Sequence, residues 1–473
     1  MTRSWFLPVS EETTDLLVVG GGPAGASAAI AAAGHGISSV LIEEGDMPGG
    51  QIHRAPRSPN APGPDPDGER IRRDLVANRN LIDVRTNTSV WGVFDRKRVC
   101  VSDGDASTIL TAKQIILAPG AQEYVPPFPG WTLPGVMTAG GAQALLKMTG
   151  VAPGRRIVLA GSGPLLLAVA AQMAKLGHQV VSVFQAASRR SWMMLPLRAW
   201  QAPQKTLEGM KYFGTLKRTG VKMRYGRMVV SAHGDQRLTG ISHAPVDASW
   251  RPDLSRTETI NADALCISYG LMPRTDLFQI FGCKMRFCEM RGGWHPERDD
   301  QLRTSRRDVF AVGDGAGVSG ASAAILEGKL AGNAAAHALG ACSDACLEGV
   351  SRRLGRALRR VHTFGAAINQ ISYPRAGLLD LVTDDTIVCR CEELMWKEVR
   401  TGIEQGGTDF RTLKSATRLG MGPCQAKFCW PSASRQIARL TERAMKEVGP
   451  ISVRNPIRPI SLGALAKKAA VSG

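Results

Sequence analysis

No Cys-x-x-Cys occurs anywhere in this chain of 473 residues. That absence argues against dithiol–disulfide chemistry at a redox centre, which needs two neighbouring thiols. Acidic residues are scarce too: 41 Asp and Glu stand against 59 Lys and Arg, a formal net charge of +18. The excess suits an acidic protein partner, an anionic ligand, a membrane surface or simply a basic solvated face. Nucleic acid is disfavoured, because no nucleic-acid-binding motif accompanies the charge. Uninterrupted apolar runs are missing as well. Three stretches without Asp, Glu, Lys or Arg, 16–42, 124–146 and 157–174, approach the length of a bilayer span, but glycine or proline breaks each of them. The opening Met-Thr-Arg-Ser-Trp-Phe-Leu-Pro holds no apolar core fit for a signal peptide. The ten cysteines form no disulfide framework of the short secreted kind, which fits a reducing, cytoplasmic compartment.

What is present reads as a multidomain globular chain. Hydrophobic residues make up 44% and charged residues 21%, and the length exceeds what one hydrophobic core serves, so two to four domains are expected. Leu16 to Gly20 is an apolar run ending in glycine, the mark of a buried parallel strand. An alanine-rich helix follows from about Ala24 to Ala33, and Ser39 to Glu43 is the next strand. In Gly20-Gly21-Gly22-Pro23-Ala24-Gly25, the glycines at 20, 22 and 25 fit G-x-G-x-x-G at the mouth of that helix. The first makes the turn, the second admits a pyrophosphate to the backbone, and the third lets helix and strand pack closely. Glu43 ends the second strand, where a carboxylate accepts hydrogen bonds from ribose hydroxyls. The unit therefore predicts adenine-dinucleotide binding.

A second unit is incomplete. Strand 156–160, turn Gly161-Ser162-Gly163, helix 165–176 and strand 179–184 repeat the pattern. Leu166 stands where the third glycine belongs, and Gln185 follows the strand where an acid would grip a ribose. The fold is expected to survive and nicotinamide binding to be lost, leaving a different adenine nucleotide or nothing. Residues 52–72 read as a loop rich in Pro, Arg and Asp, and 308–315 as a strand and tight turn before a helix from about Ser322 to Leu339. Arg352, Arg356, Arg359 and Arg360 form a basic stripe on an amphipathic linker helix, opposite Leu354, Leu358 and Val361.

Near the end stand Cys389-Arg-Cys391 and, 32 residues on, Cys424-Gln-Ala-Lys-Phe-Cys429. Two close pairs far apart in sequence are how a short domain gathers four thiolates around a metal or an iron–sulfur cluster. Zinc is the chemical rival; C-x-C beside C-x4-C on a nucleotide-binding chain favours 2Fe-2S. The acids after Cys391 suit a helix N-terminus, and Gly420-Met-Gly-Pro423 is a turn whose N–H groups can reach cluster sulfurs. The other six cysteines are scattered, several in apolar surroundings.

Pro48-Gly49-Gly50-Gln51 close behind Glu43, the Pro119-Gly120-Ala121 break and Gly313-Asp314 after the late strand resemble the two-dinucleotide-binding-domain flavoproteins of the glutathione-reductase-like class. That resemblance implies an α/β fold and FAD, contacted by Gly20, Gly22, Pro23, Ala24, Gly25, Glu43, Gly50, Gln51, Ala121, Gly313 and Asp314. Asp314 would bond the ribityl–phosphate region, and the helix after it would point its positive end at the flavin. His53 reads as a loop residue. Cys-Arg-Cys-Glu-Glu at 389–393 and Leu-Lys-Ser-Ala-Thr-Arg-Leu-Gly-Met-Gly-Pro-Cys-Gln at 413–425 resemble the small helical bacterioferritin-associated-ferredoxin-like 2Fe-2S domain, in the variant fused to large flavoprotein subunits of heteromeric amino-acid and opine dehydrogenases.

The resemblance implies FAD-binding residues 1–125 with 265–340, a second nucleotide-binding-like domain at 126–264, a helical linker at 341–380, the cluster domain at 381–445 and a tail at 446–473. It implies a D-amino-acid-oxidase-like FAD β subunit that oxidises the C–N bond, room for a small ferredoxin-like subunit, and electrons leaving through flavin and cluster to a quinone or cytochrome chain rather than oxygen. It also allows FMN at a subunit interface and peripheral association with the inner membrane. Two alternatives stay open: a stand-alone NAD(P)H-dependent flavin reductase, and a non-enzymatic binding protein with a vestigial flavin fold.

Overall fold

A computed structural model describes residues 10–195 and 203–466 of the chain. The N-terminal segment read for a leader, and residues 467–473 of the tail, lie outside them.

Leu16 to Val19 is apolar throughout because its strand is covered on both faces; Leu16, Leu17 and Val18 are fully buried. The strand itself begins earlier, at Ser10, where it alternates between exposed and half-buried residues along Ser107–Leu117. In hydrogen-bonded order the first sheet runs Ile82–Arg85, Ser39–Ile42, Ser10–Val19, Ser107–Leu117, Arg98–Ser102, Ser89–Phe94, and Val309–Ala311 joins Ser107–Leu117. The right-hand strands form an antiparallel meander, while the left-hand strands and Val309–Ala311 are parallel.

Helices Pro23–Ala33 and Ala321–Ala338 cover one face. They cross at very short range: a methyl on Gly328 would lie 2.1 Å from the Ala24 carbonyl oxygen, and one on Gly332 2.3 Å from that of Ala28. Helix Asp344–Ser372 lies against them, with Leu347, Leu354 and Leu358 buried in the same core. Arg352, Arg356, Arg359 and Arg360 are exposed as expected. The expected linker is thus corrected: its apolar face is part of the first unit's core rather than a free connector. The expected loop at 52–72 is also shorter, because Pro66 at the first helical position opens helix Pro66–Ala77.

The second unit holds a parallel sheet in the order Lys222–Tyr225, Val180–Gln185, Ile157–Gly161, Ala264–Ser268, Val136–Thr138, with an antiparallel three-stranded sheet beside it. Ala264–Ser268 sits inside this sheet, so the expected boundary after residue 264 falls too early. The two units are stitched by the short antiparallel pair Ala121–Glu123 and Leu271–Pro273.

The C-terminal unit packs helices Trp396–Glu404, Phe410–Thr417 and Cys429–Leu440 around Val399, Leu413, Leu419, Ala433 and Ile437. Its first helix starts at Trp396, not at Glu392: Glu393 takes a left-handed φ of 53°, and Glu398 accepts the Met395 N–H at 2.8 Å. The tail returns to the first sheet, where Asn455 exchanges two hydrogen bonds with the Val93 backbone, at 3.0 and 2.7 Å. Among the described residues no helix is long and apolar enough to cross a membrane.

Candidate cofactor-binding site

The glycine turn after Ser10–Val19 is tight. Gly20 has φ +105°, and a methyl there would lie 2.3 Å from the Ala118 carbonyl oxygen. A methyl on Gly25 would lie 1.9 Å from the Gly20 carbonyl oxygen, so only hydrogen fits between helix and strand. At Gly22 the nearest atom to an added methyl is the Gly50 Cα, at 3.8 Å, which leaves that face open. The helix from Pro23 presents its free N–H groups and positive end at the same place.

Glu43 lies beside this turn. Its Oε2 accepts the Gly21 N–H at 2.8 Å and its Oε1 the Gly45 N–H at 2.7 Å. Burial raises its pKa above the ordinary carboxylate value, against the opposing bonds from Gly45 and Gly21. Gly50 meets Gly22 in the adjoining loop, whereas the Gln51 side chain is exposed and accepts from Arg54 at 2.7 Å. His53 lies in the turn, as expected of a loop residue. It is buried, its Nδ1 pairs with Asp65, and its Nε2 has no partner.

The late strand delivers Gly313 and Asp314 to the same corner: a methyl on Gly313 would lie 2.9 Å from the Ala24 Cβ. Asp314 Oδ1 accepts the N–H groups of Ser319 and Gly320 at 2.8 and 2.7 Å. Burial raises the Asp314 pKa, with those two bonds acting against it. Ala121 opens the strand next to Gly120, whose carbonyl oxygen would lie 3.0 Å from a methyl on Gly315. The turn at Gly20–Gly25 thus brings Glu43, Gly50 and Gly313 close together, while the Gln51 side chain turns out to solvent.

Sequence reading missed what holds the Asp314 turn. Glu327 is buried, accepts the Gly313 N–H at 2.7 Å, pairs with Arg298 at 2.9 Å and meets His362 at 2.8 Å. Burial would raise its pKa, but Arg298 and His362 outweigh that and hold it at about 2. A glutamate inside an alanine-rich buried helix was the available signal, since an acid is rarely buried unpaired. Nearby, Arg291 Nη1 is buried without a hydrogen-bond partner, and its Cδ would lie 2.9 Å from a methyl on Gly317. A buried guanidinium nitrogen without a hydrogen-bond partner beside the Asp314 loop fits an anionic group in the site.

The second unit is closed at the equivalent turn. Gln185, fully buried, accepts the Gly163 N–H at 3.2 Å and donates to the Gly163 carbonyl at 3.3 Å. Ser162 Oγ donates to the Ile371 carbonyl at 2.8 Å, and a methyl on Gly163 would lie 2.6 Å from Ser372 Oγ. The end of the long helix thus covers the place a phosphate would occupy. Leu166 is fully buried and packs into the core beneath the sheet without dislodging the helix.

The four C-terminal cysteines approach one another as two pairs, Cys389 with Cys429 and Cys391 with Cys424, each close enough for one thiol to shift the ionisation of its neighbour. Contact with Cys429, and backbone N–H groups of Gly420, Glu392 and Cys391, hold the Cys389 thiol down at about 5 despite burial. The Cys429 partner is pushed up by that contact and by burial. Gly422 lies against the site, since a methyl there would come 2.1 Å from the Cys391 Cβ. No three of these sulfurs lie mutually within 4.8 Å; among the described residues only His35, Cys342 and Cys346 do so.

The C-terminal unit meets the nucleotide units directly. Gln122 Nε2 donates to the Lys427 carbonyl at 2.9 Å, Ser432 Oγ meets Tyr124 Oη at 3.2 Å, and Trp131 Nε1 donates to the Ile387 carbonyl at 2.7 Å. Beside this contact opens a cleft of about 450 Å³ lined among others by Arg274, Asp276, Lys414, Lys427, Phe410, Trp430 and Arg454.

Residues 14–338 match the pyridine nucleotide-disulphide oxidoreductase family, and residues 383–469 match the sarcosine oxidase A3 domain. The hydrogen cyanide synthase subunit HcnB of Pseudomonas protegens is 35% identical over 95% of this chain and 96% of its own length. An opine oxidase subunit of Rhizobium meliloti is 30% identical over 96% of this chain and 88% of its own. Among solved structures, L-proline dehydrogenase from P. horikoshii superposes with a TM-score of 0.70 over 97% of this chain and 80% of that one, at 22% identity. T. acidophilum thioredoxin reductase covers 69% of this chain and 99% of its own, at 19% identity and a TM-score of 0.52. The chain belongs to the pyridine nucleotide-disulphide oxidoreductase family and, within it, to the α-type subunits of heteromeric oxidases that include HcnB and the opine oxidase relative.

Proposed function

We propose that this chain is the electron-accepting α subunit of a heteromeric FAD- and 2Fe-2S-dependent amino-acid or opine dehydrogenase, an oxidoreductase acting on CH–NH bonds. A D-amino-acid-oxidase-like β subunit would oxidise the C–N bond, and the acceptor would be something other than oxygen. The observation that carries the reading is the contact of Gln122 with the Lys427 carbonyl. It seats the cysteine loop against the strand that begins at Ala121, on the edge of the nucleotide site.

FAD fits the first unit. The open face of Gly22 and the helix N-terminus would take the pyrophosphate, Glu43 the ribose, and Asp314 the ribityl end, with Arg291 Nη1 left free to donate to an anionic group. A paired arrangement of sulfurs fits a binuclear cluster better than a single zinc. Four thiolates on one tetrahedral ion would all lie within about 3.8 Å of one another, given a Zn–S distance near 2.3 Å; no three of these do. When bound, a flavin supplies two-electron acceptance and a 2Fe-2S cluster one-electron release. Cys389, Cys391, Cys424 and Cys429 would hold the cluster, with N–H groups of Gly420, Glu392 and Cys391 tuning its sulfur ligands. The cleft lined by Arg274, Lys414, Lys427 and Arg454 suits the phosphate of an FMN at the subunit interface.

The stand-alone NAD(P)H reductase reading has little support, because Ser372 and Gln185 fill the second nucleotide turn. The test is co-expression with a D-amino-acid-oxidase-like subunit. The purified complex should contain flavin, iron and sulfide, and should reduce an artificial dye with an amino acid or opine only when both subunits are present. Dye reduction by NAD(P)H with the isolated chain would instead favour the reductase, and absence of flavin after gentle purification the binding-protein alternative.

A further inference from the structure

The His35, Cys342 and Cys346 ligand atoms lie within 4.8 Å of one another, on the opposite end of the first unit's helices from the glycine turn. They come from three separate places. His35 follows helix Pro23–Ala33, Cys342 follows helix Ala321–Ala338, and Cys346 lies in the first turn of helix Asp344–Ser372. We infer that these three side chains form a zinc site that ties the three helix ends together, distinct from the four-cysteine centre.

The chemistry of the set selects the ion. Two sulfurs and an imidazole favour zinc over the hard cations magnesium and calcium, which take oxygen ligands. Three such ligands on a tetrahedral zinc are separated by roughly 3.5–3.8 Å, given Zn–S near 2.3 Å and Zn–N near 2.0–2.1 Å. From a set within 4.8 Å, this needs a contraction of at most about 1.3 Å. The histidine is already oriented. Asn333 Nδ2 donates to the Lys329 carbonyl at 2.7 Å, which turns its Oδ1 toward His35 Nε2 at 2.8 Å. The tautomer that donates from Nε2 to this oxygen leaves the Nδ1 lone pair for a metal. A ligating histidine held by a carbonyl on its other nitrogen is the usual outer-shell arrangement of zinc sites. Ser343 fixes the sulfur-bearing turn as well, accepting the Cys346 N–H at 3.3 Å. Cys346 is exposed, so the site has an entry path, and the fourth position is left to water.

Two measurements on the full chain test this. In the first, wild-type protein purified without chelators is labelled with iodoacetamide, before and after treatment with EDTA, and read by peptide mass spectrometry. Zinc bound here protects Cys346 several-fold, EDTA removes the protection, and added zinc restores it. In the second, elemental analysis compares wild type with Cys342→Ser/Cys346→Ser and with His35→Gln. The double variant should lose about one zinc per chain and His35→Gln most of it, with iron content unchanged in both. Equal alkylation of Cys346 with and without EDTA overturns the proposal. So does a Cys342–Cys346 disulfide in the protein as purified, or zinc content that the variants leave unaltered. The alkylation measurement needs no variant and holds even where the double substitution fails to fold.

Discussion

Gln122 Nε2 donates to the Lys427 carbonyl at 2.9 Å, across 305 positions of sequence. One hydrogen bond thereby joins the residue after Ala121 to the middle of the loop between Cys424 and Cys429. Lys427 is anchored a second time by Asp276, 3.8 Å away. The tail adds a third tie, as Gln425 Nε2 donates to the Pro456 carbonyl at 2.7 Å.

Gln122→Ala removes the first tie and leaves a partly buried carbonyl unpaired. It should weaken docking of the C-terminal unit by roughly 1–2 kcal/mol while iron and flavin contents stay at wild-type levels. Limited proteolysis near 375–385, compared with wild type, reads the change. Unaltered cleavage rates would show that this bond contributes nothing to docking.

The glycines of the first turn should separate folding from binding. Gly25→Ala forces a methyl to 1.9 Å from the Gly20 carbonyl oxygen and should give aggregated or unfolded protein. Gly22→Ala meets nothing nearer than 3.8 Å within the protein and should fold with a near-wild-type melting temperature. It should nevertheless lose most of its flavin, because the methyl occupies the pyrophosphate's approach. Flavin absorbance per chain after gel filtration checks both, and a flavin-replete Gly22→Ala would remove the turn from the site.

Glu327→Gln leaves Arg298 and His362 without their carboxylate inside the core and should destabilise the first unit by roughly 3–5 kcal/mol. The pH dependence follows from the shift. Glu327 is held at about 2 in the folded chain, against 4.5 for an ordinary glutamate. Its contribution is therefore complete above about pH 4.5 and disappears as the pH falls toward 2. Urea unfolding at pH 7 and pH 4 should show the wild-type advantage over Glu327→Gln shrinking only slightly over this span. An advantage already lost at pH 5 would show that Glu327 is not held below the ordinary glutamate range in the folded chain.

Single serine substitutions at Cys389, Cys391, Cys424 and Cys429 should each deplete iron and sulfide by several-fold, judged by elemental analysis and the visible spectrum of the oxidised protein. Cys389 and Cys429 are buried, so their variants should also lower the melting temperature. Cys391 is exposed, and its variant should retain the fold of the unit. Wild-type protein carrying zinc at these sulfurs in place of iron would overturn the cluster assignment.

NADH and NADPH should leave the flavin of the isolated chain oxidised in an anaerobic titration. Gln185→Glu alone should not change this, even though it restores an acid at the end of the second strand. Ser372 would still stand 2.6 Å from any group placed on Gly163. Rapid bleaching by either nucleotide would mean that the long helix moves away from this turn.

The nucleotide unit and the cysteine unit could be read locally because their signals are short-range. Gly20, Gly22 and Gly25 are spaced by the geometry of one strand, one turn and one helix, and Glu43 is one strand further on. Glu327 could not be read this way: its partners Arg298 and His362 lie 29 and 35 positions away in sequence. His35, Cys342 and Cys346 were illegible for the same reason, as three unremarkable residues on three helix ends. The helix expected at Glu392 began at Trp396 because the chain first pairs Leu394–Met395 with Ile387–Cys389, a contact that overrides the preference of acids for a first turn.

By itself the sequence determined the βαβ turn, the lost acid at Gln185 and the Cys389-x-Cys391 and Cys424-x4-Cys429 motifs, since each depends on neighbours within a few residues. The tertiary structure alone decided that Ser372 closes the second nucleotide turn, that the amphipathic helix joins the first core, and that the cysteine loop lands on Gln122. Those outcomes come from packing between segments hundreds of residues apart, where burial of apolar faces selects the contact and local propensity carries no information about it.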